Sequence, residues 1–261
     1  MEKLRHLLER IIQRVNINLR EPLLDVGPYV RDVVPLEQMI RFYAFYGITP
    51  HHPLNFHFCR SNLAGSYFLG KCDVSDSILY KSDIRGDELK RKGDIFPYEG
   101  FEVPLHEDET IRIKDSYLIK TLVHNYSHDP ESPEEFTIHN TVSAHYANIH
   151  GSDVAGCFLA PFSTVDLTTL HDCIIGEFSY IQRKELAHQE IPAGTIWISA
   201  KDAFEFHFRH DPEILKEYIR FEPGSVPQGF FMDFVEERKE DFQRIFDVIN
   251  LESVDTVPAS A

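Results

Sequence analysis

Three histidines in this sequence stand where imidazoles could share an ion. His124 closes the apolar run Leu122-Val123-His124, and His145 and His150 lie five positions apart in Ala144-His145-Tyr146-Ala147-Asn148-Ile149-His150-Gly151. On a straight strand that odd spacing sends the two side chains to opposite faces. On a coil with a corner between them they point to separate flanks, so the pair cannot meet within one chain. A site shared between subunits removes the difficulty. His124 precedes His145 by 21 residues, about one coil, and equivalent positions on stacked coils lie ~4.8 Å apart, close enough for two imidazoles to share one ion. Three neutral imidazoles plus an open position form the ligand set of a zinc that activates water. The alternative is three unrelated histidines. Of the 14 histidines, His6, His51, His52, His57, His188, His207 and His210 read as solvated or core-satisfied, and His128, His139 and His171 fit either role.

Stacked coils are what the surrounding sequence predicts. From about Phe56 to Ser199 helical periodicity vanishes, and aliphatic or small residues recur at steps of six: Cys72, Ile78 and Ile84; Ile113 and Ile119; Ser143 and Ile149; Ile175 and Ile181. A triangular coil with six residues per side points the same position of each side at the axis, so stacking buries columns of aliphatic side chains. The fold class is therefore mainly β, a parallel β-helix of hexapeptide repeats with α-helices at both ends. Residues 1–55 form an N-terminal helical extension, 56–200 the β-helix domain, and 201–261 a C-terminal helical segment covering the β-helix or a neighbouring subunit. Leu4, Leu7, Leu8, Ile11, Ile12 and Val15 make one apolar helical stripe. Pro35 opens a second helix through Leu36, Met39, Ile40 and Tyr43 that stops at Gly47. Residues 88–110 and the acidic, proline-containing run 124–135 interrupt the repeat. After Asp211-Pro212-Glu213 starts a helix, a longer one follows Gly229 with Phe231, Phe234, Val235, Phe242, Ile245, Phe246 and Ile249 on one stripe; the final ten residues read as disordered.

Composition narrows the function class. Lys and Arg total 26 against 42 Asp and Glu, a net charge of −16. A surface this acidic repels nucleic-acid phosphates and anionic lipid, so neither is an expected partner. The charged N-terminus excludes a normal secretory signal, and no stretch reaches the roughly 18 apolar residues of a membrane span. Four dispersed cysteines without a C-x-x-C pair read as buried thiols of a cytoplasmic protein.

Four segments carry a resemblance to a known family. Ser77 to Asp87, with its Arg85-Gly86-Asp87 end, Leu122-Val123-His124, Ala144-His145 through His150-Gly151, and Glu190-Ile191-Pro192-Ala193-Gly194 follow in order a pattern that resembles the γ-class carbonic anhydrases. The resemblance implies a left-handed β-helix homotrimer with zinc, or Fe2+ or Co2+, at each subunit interface. It places His124 and His150 on one subunit and His145 on its neighbour as the metal ligands. It makes Arg85 and Asp87 an interfacial ion pair and sets Glu88 to handle the metal-bound water and its proton. The implied activity is reversible hydration of CO2 to bicarbonate, with His128 and Asp129 as further proton shuttles. The family's N-x-Q-D-G stretch is missing: the corresponding run, Leu118 to Leu122, lacks the glutamine. Two other functions remain open, a non-catalytic metal-binding homologue and an acyl-CoA-dependent acyltransferase, which needs one histidine as general base and no metal.

Overall fold

The computed structural model describes residues 1–20, 22–98, 100–126, 136–200, 204–220, 228, 229 and 240. Short strands stack in parallel into a three-sided left-handed β-helix. One face, here the site face, runs from Phe45–Gly47 through Tyr67–Leu69, Asp83–Arg85, Leu122–His124, Asn148–His150, Thr164–Asp166 and Tyr180–Gln182 to Thr195–Ala200. A second, starting at Ile78–Tyr80, has six strands, and a third, starting at Phe56–Cys59, has seven. Phe204–Arg209 closes the site face by antiparallel pairing, and the helix Pro212–Tyr218 follows, with Asp211 capping Glu213 N–H.

The axial core consists of Leu79, Ile84, Leu118, Val123, Ile138, Ile149, Val154, Leu159, Val165, Leu170, Ile175, Ile181, Leu186 and Ile191. Six-residue steps survive only at one corner, as in Ser143 to Ile149 and Ile175 to Ile181; the other sides advance by five, as in Ile149, Val154 and Leu159. The extra residue belongs to a turn such as Ala144–Ala147, where Tyr146 takes φ 62°. Ile78 and Ile119, expected in the axial columns, instead point outward. They can be apolar because the N-terminal helix covers that face.

The helix Glu2–Leu19 lays Leu8, Ile11, Ile12, Val15 and Leu19 on Ile78, Tyr80, Tyr117, Ile119, Val142 and Phe158. Each such side chain contributes about 1.5–3 kcal/mol over leaving it in water. Polar residues set the register. Asp76, Asp115 and Asp172 occupy one corner with φ of 50°, 48° and 53°, a conformation Asp adopts more readily than most residues. Arg10 reaches Asp76 at 2.8 Å and Asp115 at 3.3 Å, Arg14 reaches Asp115 at 3.2 Å, and Asn18 reaches Asp172 at 3.0 Å. Arg10 and Arg14, four residues apart, are offset by about 6 Å along the helix, close to the one-coil step from Asp76 to Asp115, and Asn18 reaches Asp172 three coils farther on.

Beside that corner runs a ladder of small donors. Ser77, Ser116, Thr141, Cys157 and Cys173 each donate to the carbonyl two residues back, and each of the first four accepts the N–H of the next. The corner backbone groups are thereby satisfied without water. Cys157 and Cys173 thus serve as hydroxyl substitutes; they and Cys72 are buried, while Cys59 is exposed.

Beneath the helix one hydroxyl is not served by these contacts. The Tyr117 hydroxyl, beneath the N-terminal helix, has no hydrogen-bond partner, and burial pushes its pKa up. An unpaired buried hydroxyl costs about 1–3 kcal/mol. Tyr117→Phe should therefore raise the urea midpoint by the equivalent of about 1 kcal/mol at unchanged slope. A lowered midpoint would contradict this account.

Three sequence expectations change here. The second helix is a single turn, Leu36–Met39, because Phe45–Gly47 pairs with Tyr67–Leu69 instead of extending it. Solenoid pairing consequently starts at Phe45, upstream of the boundary at residue 56. The excursion after Asp87 contains an antiparallel hairpin, Ile95–Tyr98 with Phe101–Pro104. The apolar stripe from Phe231 to Ile249 and the loop residues His128 and Asp129 lie outside the described residues. No described helix is long and apolar enough to cross a membrane.

Candidate active site

Along the outer side of the site face, the last residues of successive strands form one column. Arg85 pairs with His124, His124 with His150, His150 with Asp166, and Asp166 with Gln182. Odd positions of each strand face out while Ile84, Val123, Ile149, Val165 and Ile181 face the axis. Parallel register therefore stacks the two imidazoles, with ring centroids 5.2 Å apart.

Carboxylates flank the pair at both ends. Asp166 Oδ1 lies 2.6 Å from His150 Nδ1, and the Tyr180 hydroxyl donates to Asp166 Oδ2 at 2.5 Å. A carboxylate only accepts, so the contact places the proton of a neutral His150 on Nδ1 and makes Nε2 the ring's basic nitrogen. Burial, and then the bond to Asp166, hold the Tyr180 phenol well above its usual pKa, so it remains a donor. At the other end, His124 Nε2 stands 3.6 Å from Asp87 Oδ1 and 3.9 Å from Glu88 Oε1. The Tyr126 ring lies 5.6 Å from His124 and 6.0 Å from His150. Its pKa is raised by burial and then by the charge of Glu88. Asp83, on the neighbouring column, is also raised, first by burial.

Gly86 delivers Asp87 and Glu88 to this place. A Cβ there would come within 2.5 Å of Leu89 Cδ1 and 2.8 Å of the Leu69 carbonyl oxygen. The chain therefore leaves the coil hard against its neighbour, and the excursion starts beside His124.

Of the residues singled out from sequence, the fold brings His124, His150, Asp87 and Glu88 together. Arg85 lies in the same column, but its Nε is 3.9 Å from Asp87 Oδ1, too long for a hydrogen bond. His145 is elsewhere. It occupies the turn at the opposite end of strand Asn148–His150 and is only 3% exposed. Burial, and then the charge of Lys120, lower its pKa to about 4, so it is neutral at physiological pH. Within one chain His145 therefore stands apart from His124 and His150. Asp166 and Tyr180 were missed from sequence. Their signal was the 16-residue coil, which sets Asp166 one turn beyond His150.

Residues 101–223 match the family model described as hexapeptide repeat including loop. A crystal structure of a candidate acetyltransferase from Desulfovibrio desulfuricans G20 is 56% identical with a TM-score of 0.77; the alignment covers 94% of this chain and 54% of that one. The chain thus spans about half the length of this relative. Two further structures are 13% identical. A candidate acetyltransferase of Bacillus cereus has a TM-score of 0.33, with 68% of this chain and 84% of that one covered. A hexapeptide transferase family protein of Anaplasma phagocytophilum has a TM-score of 0.27, with 67% and 89% covered. No curated protein matches the chain. Its coils and its matched segment make this protein a left-handed β-helix built of hexapeptide repeats.

Proposed function

We propose that the protein transfers an acyl group from a thioester such as acetyl-CoA to a hydroxyl or amine acceptor, with His150 as general base. The observation that carries the reading is the chain of contacts from Tyr180 through Asp166 to His150 Nδ1. A base oriented by a carboxylate, itself held by a third group, is the arrangement acyl transfer needs. His150 Nε2 takes the acceptor's proton as its oxygen or nitrogen attacks the thioester carbonyl. The tetrahedral intermediate collapses, the C–S bond breaks, and the leaving thiolate takes the proton from the imidazolium. Asp166 stabilises that imidazolium while Tyr180 keeps the carboxylate in place. The 56%-identical Desulfovibrio protein, described as a candidate acetyltransferase, supports the same reaction class.

A second reading is reversible hydration of CO2 by a metal-bound hydroxide, favoured by the stacking of His124 on His150. It carries with it a homotrimer and a movement of His145 out of its buried turn. One assay separates the two. The protein, with acetyl-CoA and a panel of hydroxyl and amine acceptors, should release free thiol in step with acylated acceptor. Absence of acceptor-dependent release, together with CO2 hydration by zinc-loaded protein, would refute the transferase reading.

A further inference from the structure

We propose that Asp87, Glu88 and His124 of a single chain bind a divalent transition-metal ion, with His145 and His150 outside its coordination shell. This proposal stands whether or not the acyl-transfer reading does, because it rests on different atoms. Among the described residues, these three form the group whose potential ligand atoms lie within 4.8 Å of one another.

Burial supplies the second observation. His124 Nε2 and Asp87 Oδ1 are both buried, and neither has a hydrogen-bond partner. They face each other at 3.6 Å, beyond hydrogen-bond length. The two side chains are 23% and 33% exposed, but these particular atoms are shielded from solvent, and a shielded polar atom without a partner is costly. An ion between them satisfies both at once. Bonds of 2.0–2.2 Å in a tetrahedral shell separate ligand atoms by about 3.4 Å, close to the 3.6 Å and 3.9 Å from His124 Nε2 to the two carboxylates. Only small side-chain shifts are required.

Charge and supporting groups agree. Two carboxylates and a neutral imidazole balance a dication. Arg85 does not close on the Asp87 oxygen, which therefore remains open to an ion. Tyr126, whose phenol the Glu88 charge helps hold above its usual pKa, stands beside His124 with ring centroids 5.6 Å apart and so borders the candidate ligands. An imidazole with two carboxylates suits Zn2+, Mn2+, Fe2+ or Co2+ better than Mg2+ or Ca2+, which take oxygen almost exclusively.

The test is metal binding, read without any activity. Chelator-stripped protein is titrated with Zn2+ by calorimetry, and bound metal is counted after dialysis. Wild type, His145→Ala and His150→Ala should each bind about one ion per chain with dissociation constants within roughly threefold of one another. His124→Asn and the isosteric double variant Asp87→Asn/Glu88→Gln should bind more than tenfold more weakly, with thermal melts confirming that they fold. Loss of metal from His145→Ala would point to the tri-histidine set and overturn the proposal. So would undiminished binding in the Asp87/Glu88 variant, or no binding by wild type.

Discussion

His150→Ala is expected to lower kcat for acyl transfer about 10²–10⁴-fold, the contribution of a positioned general base, while KM for the thioester changes little. The imidazole acts on the acceptor's proton as the C–O or C–N bond forms, so its loss falls on the transition state more than on donor binding. Asp166→Asn should cost less than His150→Ala. The amide keeps the shape but loses the charge that stabilises the imidazolium formed during transfer, and it allows the wrong tautomer. Tyr180→Phe should cost least, since its hydroxyl acts only through Asp166. Thiol release and acylated product measured side by side check this ranking. Full activity in His150→Ala would exclude the imidazole as base, whatever the behaviour of the other variants. Substitution here should leave the fold intact, because His150 faces outward and Ile149 supplies the core contact of the strand.

Asp76→Ala should lower stability at pH 7 by about 1–3 kcal/mol, the range for hydrogen bonds to charged groups. Asp76 receives Arg10 from the N-terminal helix and Arg60 from its own corner, each at 2.8 Å to Oδ1. Its side chain is 8% exposed; Arg60, whose own side chain is 70% exposed and solvent-screened, holds both carboxylate oxygens, and Arg10 ties the carboxylate to the N-terminal helix. The Arg60 hydrogen bond, followed by those of Arg10, holds the Asp76 carboxyl well below the usual carboxylate range. A lowered folded-state pKa gives stability that is fully present above the unfolded value near 4. It is lost as pH falls through the folded value. The gap between wild type and Asp76→Ala should thus be full at pH 7 and 5 and shrink from pH 4 downward. Denaturant midpoints across that range decide it; a gap of constant size would mean that packing rather than charge fastens the helix.

How much of this could be read in the sequence depended on which columns repeat. Axial aliphatic residues recur in every coil, so the β-helix was legible from Ile175, Ile181 and their like. The assumption of six per side then put Ile78 and Ile119 in the wrong column, because most sides take five and their apolar character serves the helix above them. The grouping of His124 with His150 on one chain was implied by the family resemblance alone, whereas coil spacing had matched His124 to His145; the register pairs His124 with His150. The spacing of five set a corner between His145 and His150 and so kept them apart within one chain, and a turn does lie between them, with His145 buried in it. Asp166 and Tyr180 were invisible because neither belongs to a short motif. They become a site only once the 16-residue coil is known. The strand Phe45–Gly47 was hidden for another reason: three residues after a proline-opened helix carry too little periodicity to register.

Both long connections leave the same edge of the prism in consecutive coils, one after Arg85 and the other after His124. The donor ladder from Ser77 to Cys173 and the acid column under the N-terminal helix occupy a different edge. On the acyl-transfer proposal, rigidity and acceptor selectivity are therefore encoded in separate residues. Loops exchanged at the first edge could alter which acceptor reaches His150 without disturbing the spine. That separation makes the protein a suitable host for grafting: new acceptor preferences can be selected in loop libraries while the melting temperature stays nearly constant.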